Sequence, residues 1–190
     1  MLVFAATRWP GLLPWNFSAA YALMFCAGVY FPKRLAWWLP FATMLATDLL
    51  LNHFYYHVPL LGLYMIGNYV CFAALVLLGQ IFGPRTRFLS LVAGGLLGAL
   101  LFYLISNTFA WFENPEYART LAGWLTALTK GTSGYPQTWE FFRNTLASGG
   151  LFTALFAGAM KLMEAVEPSE EEQEEPAEEK AEEQPEEAKA

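Results

Sequence analysis

Four apolar runs limit what this chain can fold into: residues 35–51, 60–82, 88–109 and 141–166, with 17, 23, 22 and 26 residues. A helix needs about 20 apolar residues to cross a hydrocarbon core, so all four are at or near that length. A fifth run, residues 17–31, has 15 residues. It reaches only about 22 Å at a helical rise, so it must lean on neighbours or sit where a bilayer thins. No run alternates apolar and polar residues as a barrel strand would. Backbone groups in lipid must pair within their own segment, which leaves helices.

The breaks between runs are chemically sharp. Pro32-Lys33-Arg34, His57-Val58-Pro59 and Gly83-Pro84-Arg85-Thr86-Arg87 each stop a run. Proline cannot continue a helix without losing a backbone bond, and clustered basic residues mark a water boundary. Residues 112–138 behave differently. Asn114-Pro115 breaks the chain, residues 119–130 suit a short helix, and Gly131-Thr132-Ser133-Gly134-Tyr135-Pro136 breaks it again. About a dozen residues cannot span, so this piece is expected to be re-entrant or interfacial. The expectation is an all-α, polytopic membrane bundle of about five to six membrane helices, one of them short or re-entrant.

Charge separates a body from a tail. Residues 1–167 carry nine Lys/Arg and six Asp/Glu, whereas residues 168–190 carry two Lys and eleven Glu. The tail lacks apolar residues to offset its ordering entropy and is expected to be a disordered, Glu-rich cytoplasmic segment. With residues 119–130 not spanning, the loops bearing Lys33, Arg34, Arg85 and Arg87 share a side with Lys161. Arg8, Arg119, Lys130 and Arg143, mixed with Glu113, Glu116 and Glu140, fall on the other. The first side is then cytoplasmic, and the C-terminus with it.

Polar residues at membrane depth cost free energy unless paired or facing a cavity. Asp48 is the sole Asp of the chain, and Asn16, Asn68, Asn107 and Asn144 lie within or at the ends of other runs. In this topology Asn16, Asp48, Asn107 and Asn144 fall toward the outer half, with Tyr64, Trp111, Trp124 and Trp139 as walls. Convergent polar groups among aromatics are the makings of a small-ligand pocket. The competing reading is that Asp48 bonds locally and the asparagines join helices. Small residues recur at intervals of four in Ser90, Gly94, Gly98 and in Gly150, Ala154, Gly158, a spacing that lets helices approach closely.

Other chemistry finds little support. His53 and His57 stand i, i+4, but two histidines beside a proline are too few for a metal site, and Cys26 and Cys71 lie in apolar runs as small hydrophobes. No catalytic constellation, phosphate-cradling glycine loop or nucleic-acid-type basic patch stands out, so neither an enzyme, a bound cofactor nor a nucleic-acid partner is expected.

Several motifs carry a resemblance. Pro14-Trp15-Asn16-Phe17-Ser18, residues 40–48 with His53 and Tyr64, and Ser106-Asn107-Thr108-Phe109 with Trp111 are three of them. Tyr117 with Thr120-Leu121-Ala122-Gly123, and Phe141-Phe142-Arg143-Asn144-Thr145, complete the set. Over residues 9–163 the chain resembles an uncharacterised group of bacterial membrane proteins, DUF6580, similar in turn to substrate-binding (S) components of energy-coupling factor transporters. The resemblance implies an inner-membrane protein that binds a small solute through Asn16, Asp48, Tyr64, Asn107, Trp111 and Asn144. Its implied partners are the lipid bilayer, an energising membrane subunit and ATPases. Two departures bear on this. Relatives carry a full hydrophobic helix before the opening motif, where only residues 1–13 stand here, implying a truncated first helix or a later start. Ala147-Ser148-Gly149 also replaces a Gly-Asp pair. The competing function is a structural or accessory membrane protein without a ligand.

Overall fold

A computed structural model describes the backbone of residues 1–182 and the side chains of residues 1–166 except Leu63 and Tyr64. Residues 1–157 form one compact unit and residues 158–190 a second. Among the described residues there are seven α-helices and no strand. They are α1 (Leu2–Thr7), α2 (Ala20–Tyr30), α3 (Lys33–Leu51), α4 (Leu63–Ile81), α5 (Phe88–Glu113), α6 (Leu121–Thr129) and α7 (Thr138–Glu182). The acidic tail expected at 168–190 lies outside the described side chains, and beyond residue 182 outside the described backbone.

The first unit is built around α2. Ten of its eleven residues are buried, and apolar residues occur on every side of it, the pattern of a helix enclosed by others. It packs against α3, α4 and α5. The closest approach is backbone to backbone: a Cβ on Gly28 would stand 2.3 Å from the Val76 carbonyl oxygen, and one on Gly79 2.1 Å from that of Phe25. Three glycines of the small-residue stripes are likewise packed within the unit. Gly94 receives the Phe25 and Phe82 rings, Gly98 the Leu75 side chain, and Gly150 the Leu96 side chain. Tyr21, Phe72 and Phe102 form the aromatic centre of the core, with ring centroids 4.7 to 6.2 Å apart.

Short connections make α2 to α5 alternate in direction. One end of the unit holds the α2–α3 and α4–α5 turns, with Lys33, Arg34, Arg85 and Arg87. The opposite end, the polar end below, holds residues 8–19, 52–62 and 114–137. α3 contains Pro40 in its interior and finishes in a π-helical turn, Asn52–Tyr56, stopped by His57 in the left-handed conformation (φ 52°). α6 is N-capped by Thr120, whose Oγ1 accepts from the Gly123 amide at 3.2 Å. It runs back along α5: Trp124 Nε1 donates to Thr108 Oγ1 at 2.9 Å, and the Tyr103 hydroxyl donates to the Leu128 carbonyl.

Among the described residues two helices, Phe88–Glu113 and Thr138–Val166, are long and apolar enough to cross a membrane, with mean hydropathies of 2.3 and 1.4. The segments Ala20–Tyr30 and Met65–Ile81 are apolar but shorter. Of the five to six crossings expected, two therefore meet the test of length and apolarity. α2 falls short because residues 14–19 form a turn and loop in place of its first helical turns. Much of the outer surface is apolar: Trp38 is 77% exposed, Ile81 79% and Leu89 78%, joined by Leu45, Ile66, Val70, Leu97, Leu151 and Leu155.

The α2–α4 contact leaves no room for a side chain. Gly79→Val should lower stability by about 1–3 kcal/mol or more, the usual cost of overpacking, while Gly83→Val, with nothing within 4 Å of the added Cβ, should not. Thermal unfolding of the two purified variants checks this, and equal midpoints would refute the packing claim.

Candidate functional site

At the polar end, two helix faces look at each other across a cavity of about 290 Å³. α5 contributes Tyr103, Ser106, Asn107 and Ala110, and α7 contributes Thr138, Phe141, Phe142 and Thr145. Both sets follow the i, i+3, i+4, i+7 spacing that places residues on one helix face. Phe102 and Thr145 reach toward the Tyr21 region, so the floor lies over the first turn of α2. Tyr103 and Phe142 close the gap between α5 and α7, their ring centroids 4.3 Å apart.

The remaining wall comes from loops. Gly131 and Gly134 take φ of +75° and +89°, open to glycine without strain, and their loop carries Thr132, Tyr135 and Pro136 to the cavity. Tyr117 joins them. Burial pushes its phenol above its ordinary value, the neighbouring Glu116 carboxylate adds to this, and a hydrogen bond with Thr132 partly offsets it. Tyr117 is therefore neutral, with its proton on, at physiological pH.

Asn16 completes the rim from the other side. Residues 14–17 form a turn closed by the Phe17 amide on the Pro14 carbonyl at 2.9 Å, with Asn16 in the left-handed region at φ 58°. That conformation at the third turn position is one asparagine tolerates better than most residues. The Trp15 carbonyl accepts from Asn144 Nδ2 at 2.9 Å, and the Trp15 ring meets Phe141 edge-on. The Pro14–Ser18 and Phe141–Thr145 motifs are thus joined to each other.

Of the site residues expected from sequence, Asn16 and Asn107 line the cavity. Asp48, Trp111 and Asn144 do not. Asp48 forms an ion pair with Arg8, and the two side chains are only 12% and 18% exposed. Arg8 Nη1 also donates to Thr47 Oγ1 at 2.9 Å, and the Tyr69 hydroxyl donates to Asp48 Oδ2 at 3.3 Å. Trp111 Nε1 donates to the Ala118 carbonyl at 2.8 Å, tying the α5–α6 connection, and Asn144 is spent on Trp15. The Tyr64 side chain lies outside the described residues. Trp124 is spent on Thr108, and Trp139 Nε1 on Gln137 Oε1. The π-helical turn breaks the i, i+4 register of His53 and His57. Among the described residues no three His, Cys, Asp or Glu side chains gather as metal ligands.

Residues 1–171 match the sequence model of DUF6580, a family of unknown function. The chain is a member of the DUF6580 family. No curated protein and no solved structure matches it. The segments that carried the resemblance have physical roles in this DUF6580 chain: a turn at Pro14–Phe17, a helix cap at Thr120, and a cavity wall at Ser106-Asn107 and Phe141-Phe142.

A second depression, about 840 Å³, lies between α3 and α4. Phe41, Leu45, Met65, Ile66 and Val70 make it almost wholly apolar, and its one polar side chain, Tyr69, is turned to Asp48. It offers nothing that would orient a polar solute, whereas the cavity at the polar end does.

The Arg8–Asp48 pair fastens residues 1–18 to α3. Asp48→Asn or Arg8→Gln alone should destabilise the DUF6580 chain by about 3 kcal/mol, because each leaves a buried polar or charged partner unmatched. The double variant should cost less than the sum of the two. Thermal or denaturant unfolding of all four proteins checks this, and strict additivity would show the pair to be uncoupled.

Proposed function

We propose that this chain is a multi-pass protein of the bacterial cytoplasmic membrane that binds a small solute for uptake, in the manner of an energy-coupling factor S component. The observation that carries the reading is the cavity at the polar end, walled by matched faces of α5 and α7 and lined by polar groups among aromatic rings. Its volume stands at the lower end of small-ligand sites, which suits a compact metabolite.

The membrane setting is supported by the outer surface. Large apolar side chains are exposed on α3, α4, α5 and α7, as on helices that face lipid. In lipid that surface needs no cover, and the apolar depression between α3 and α4 accepts acyl chains. Trp9, Trp15, Tyr55 and Tyr56 are exposed near the polar end, as aromatic side chains are at a membrane interface. Lys33, Arg34, Arg85 and Arg87 at the opposite end support reading that end as cytoplasmic, and on this reading the cavity opens outward. α6, with nine residues, is the re-entrant piece. In this reading solute enters from outside, and an energising membrane subunit with its ATPases drives release inside. The chain itself performs no chemistry on the solute.

One observation favours a second reading, an accessory membrane protein without a ligand. Asp48, Trp111, Trp124 and Asn144 all spend their polar atoms on other parts of the chain, as helix-joining groups would.

Native mass spectrometry of protein purified in mild detergent separates the two. Solute binding predicts a retained mass of a few hundred daltons that disappears in Ser106→Trp, which fills the cavity, and persists in a folded Arg8→Gln variant. A bare protein mass after incubation with cell extract would favour the accessory reading.

A further inference from the structure

The three arginines at the polar end are engaged away from the cavity. Arg8 is paired with Asp48, Arg119 donates to the Phe112 carbonyl at 2.7 Å, and the Arg143 guanidinium lies over the Trp139 ring, 5.7 Å from its centroid. Among the described residues no Asp, Glu, Lys, Arg or His lines the cavity, and Tyr117 keeps its proton. A charged solute would surrender its hydration without meeting a counter-charge, at a cost of several powers of ten in affinity.

The hydrogen-bonding polarity of the wall is also set. Asn107 donates Nδ2 to the Tyr103 carbonyl at 2.8 Å, and the Ser106 hydroxyl donates to the same oxygen at 3.3 Å. The Ser106 hydroxyl hydrogen is thereby committed, whereas Asn107 keeps its Oδ1 acceptor and the second of its two amide hydrogens. Ser106 therefore offers an acceptor and Asn107 an acceptor beside a donor, and the complementary group on a solute carries an N–H donor next to a carbonyl acceptor, as a carboxamide does. Around them stand the rings of Phe102, Phe141 and Phe142, flat faces suited to a planar body.

We infer that the cavity selects an uncharged, ring-bearing solute that presents a carboxamide, an N–H donor beside a carbonyl acceptor, to Asn107 and Ser106. This rests on the solute-binding reading above and names the class of solute. Selection works by exclusion as much as by attraction. Anions find no basic side chain among the lining residues, cations find no carboxylate there, and neutral rings without a donor leave the Asn107 and Ser106 oxygens unmatched.

Four probes built on one ring test it: benzamide, N,N-dimethylbenzamide, benzoate and benzamidine, offered to the full chain in lipid nanodiscs. Binding is read from magnetisation transfer to the probe ring protons. Benzamide should give about tenfold stronger transfer than each of the other three, and Ser106→Trp should remove it. Asn107→Asp, which places a carboxylate in the cavity with little change of shape, should shift the preference to benzamidine. Thermal midpoints confirm that both variants fold. Transfer to benzoate or benzamidine that equals benzamide and is lost in Ser106→Trp would overturn the solute class while leaving solute binding intact. Transfer to N,N-dimethylbenzamide at the level of benzamide would overturn the donor requirement. If Ser106→Trp leaves all transfer unchanged, the cavity does not bind these rings. The inference then fails, and the retained mass in the native experiment decides the binding reading separately.

Discussion

The contact between α2 and α4 is the constraint on which the first unit rests. α2 has only eleven residues and no polar face, so it is stable only where other helices cover it on every side. Gly28 and Gly79 let α4 come within backbone distance, and that closeness sets where α3 and α5 can pack. Moving α4 outward by the width of a methyl group would open α2 to its surroundings and pull Phe72 from the Tyr21–Phe102 cluster. The same economy recurs between α5 and α7, where a Cβ on Gly95 would lie 2.1 Å from Thr153 Oγ1. Small residues here bring helices together within the unit, and the large side chains opposite them face outward.

A shortened α2 has a consequence at the polar end. The chain spends residues 14–19 on a turn and loop, so α2 begins deep in the unit, with Tyr21 in its first turn and the Ala19 amide donating to Thr7 Oγ1 at 3.0 Å. α5 and α7 continue past that level, and the volume between them is not filled by helix. α6 is too short to fill it and turns back beside α5. The cavity is what remains, floored near Tyr21 and walled by the extra turns of the two long helices. The Arg8–Asp48 pair and the Asn144–Trp15 bond then hold the 8–19 segment at its edge.

Much of this was legible in the sequence, for physical reasons. The apolar runs predicted α3, α4 and α5 to within a few residues because proline and basic residues stop helices locally. The dozen-residue piece after Asn114-Pro115 was recognisably too short to cross. Side-chain partners were harder to see. Asp48 stood out as the single aspartate at depth and suggested a ligand site, but its partner Arg8 is 40 residues earlier, and nothing local links them. Trp111 and Asn144 carried the same ambiguity, since an indole or amide satisfied by a distant carbonyl looks identical in sequence to one facing a ligand. The cavity wall did leave a trace. Residues 103, 106, 107, 110 and 138, 141, 142, 145 repeat one helical spacing, and reading the facing of α5 and α7 together would have favoured Tyr103, Ser106, Thr138 and Thr145 over Asp48. The loop wall at Thr132 and Tyr135 had no such periodic signal, because its place depends on two positive-φ glycines.

On the solute-binding proposal, the division of polar groups explains how one end of the bundle can be both fastened and receptive. Charged side chains at depth are costly unless matched, so the chain uses its ion pair as a fastening, where both partners stay put and the cost is met once in folding. Groups that must exchange bound solute for water are better neutral, because an uncharged oxygen loses little when its partner leaves. Asn107 and Ser106 fit that need, each steadied by a bond to its own helix and each with acceptor capacity left over. A carboxylate in their place would bind a cation more strongly but would stand unmatched whenever the site was empty. An uncharged wall therefore suits a site that has to fill and empty repeatedly, and the ion pair suits the frame around it.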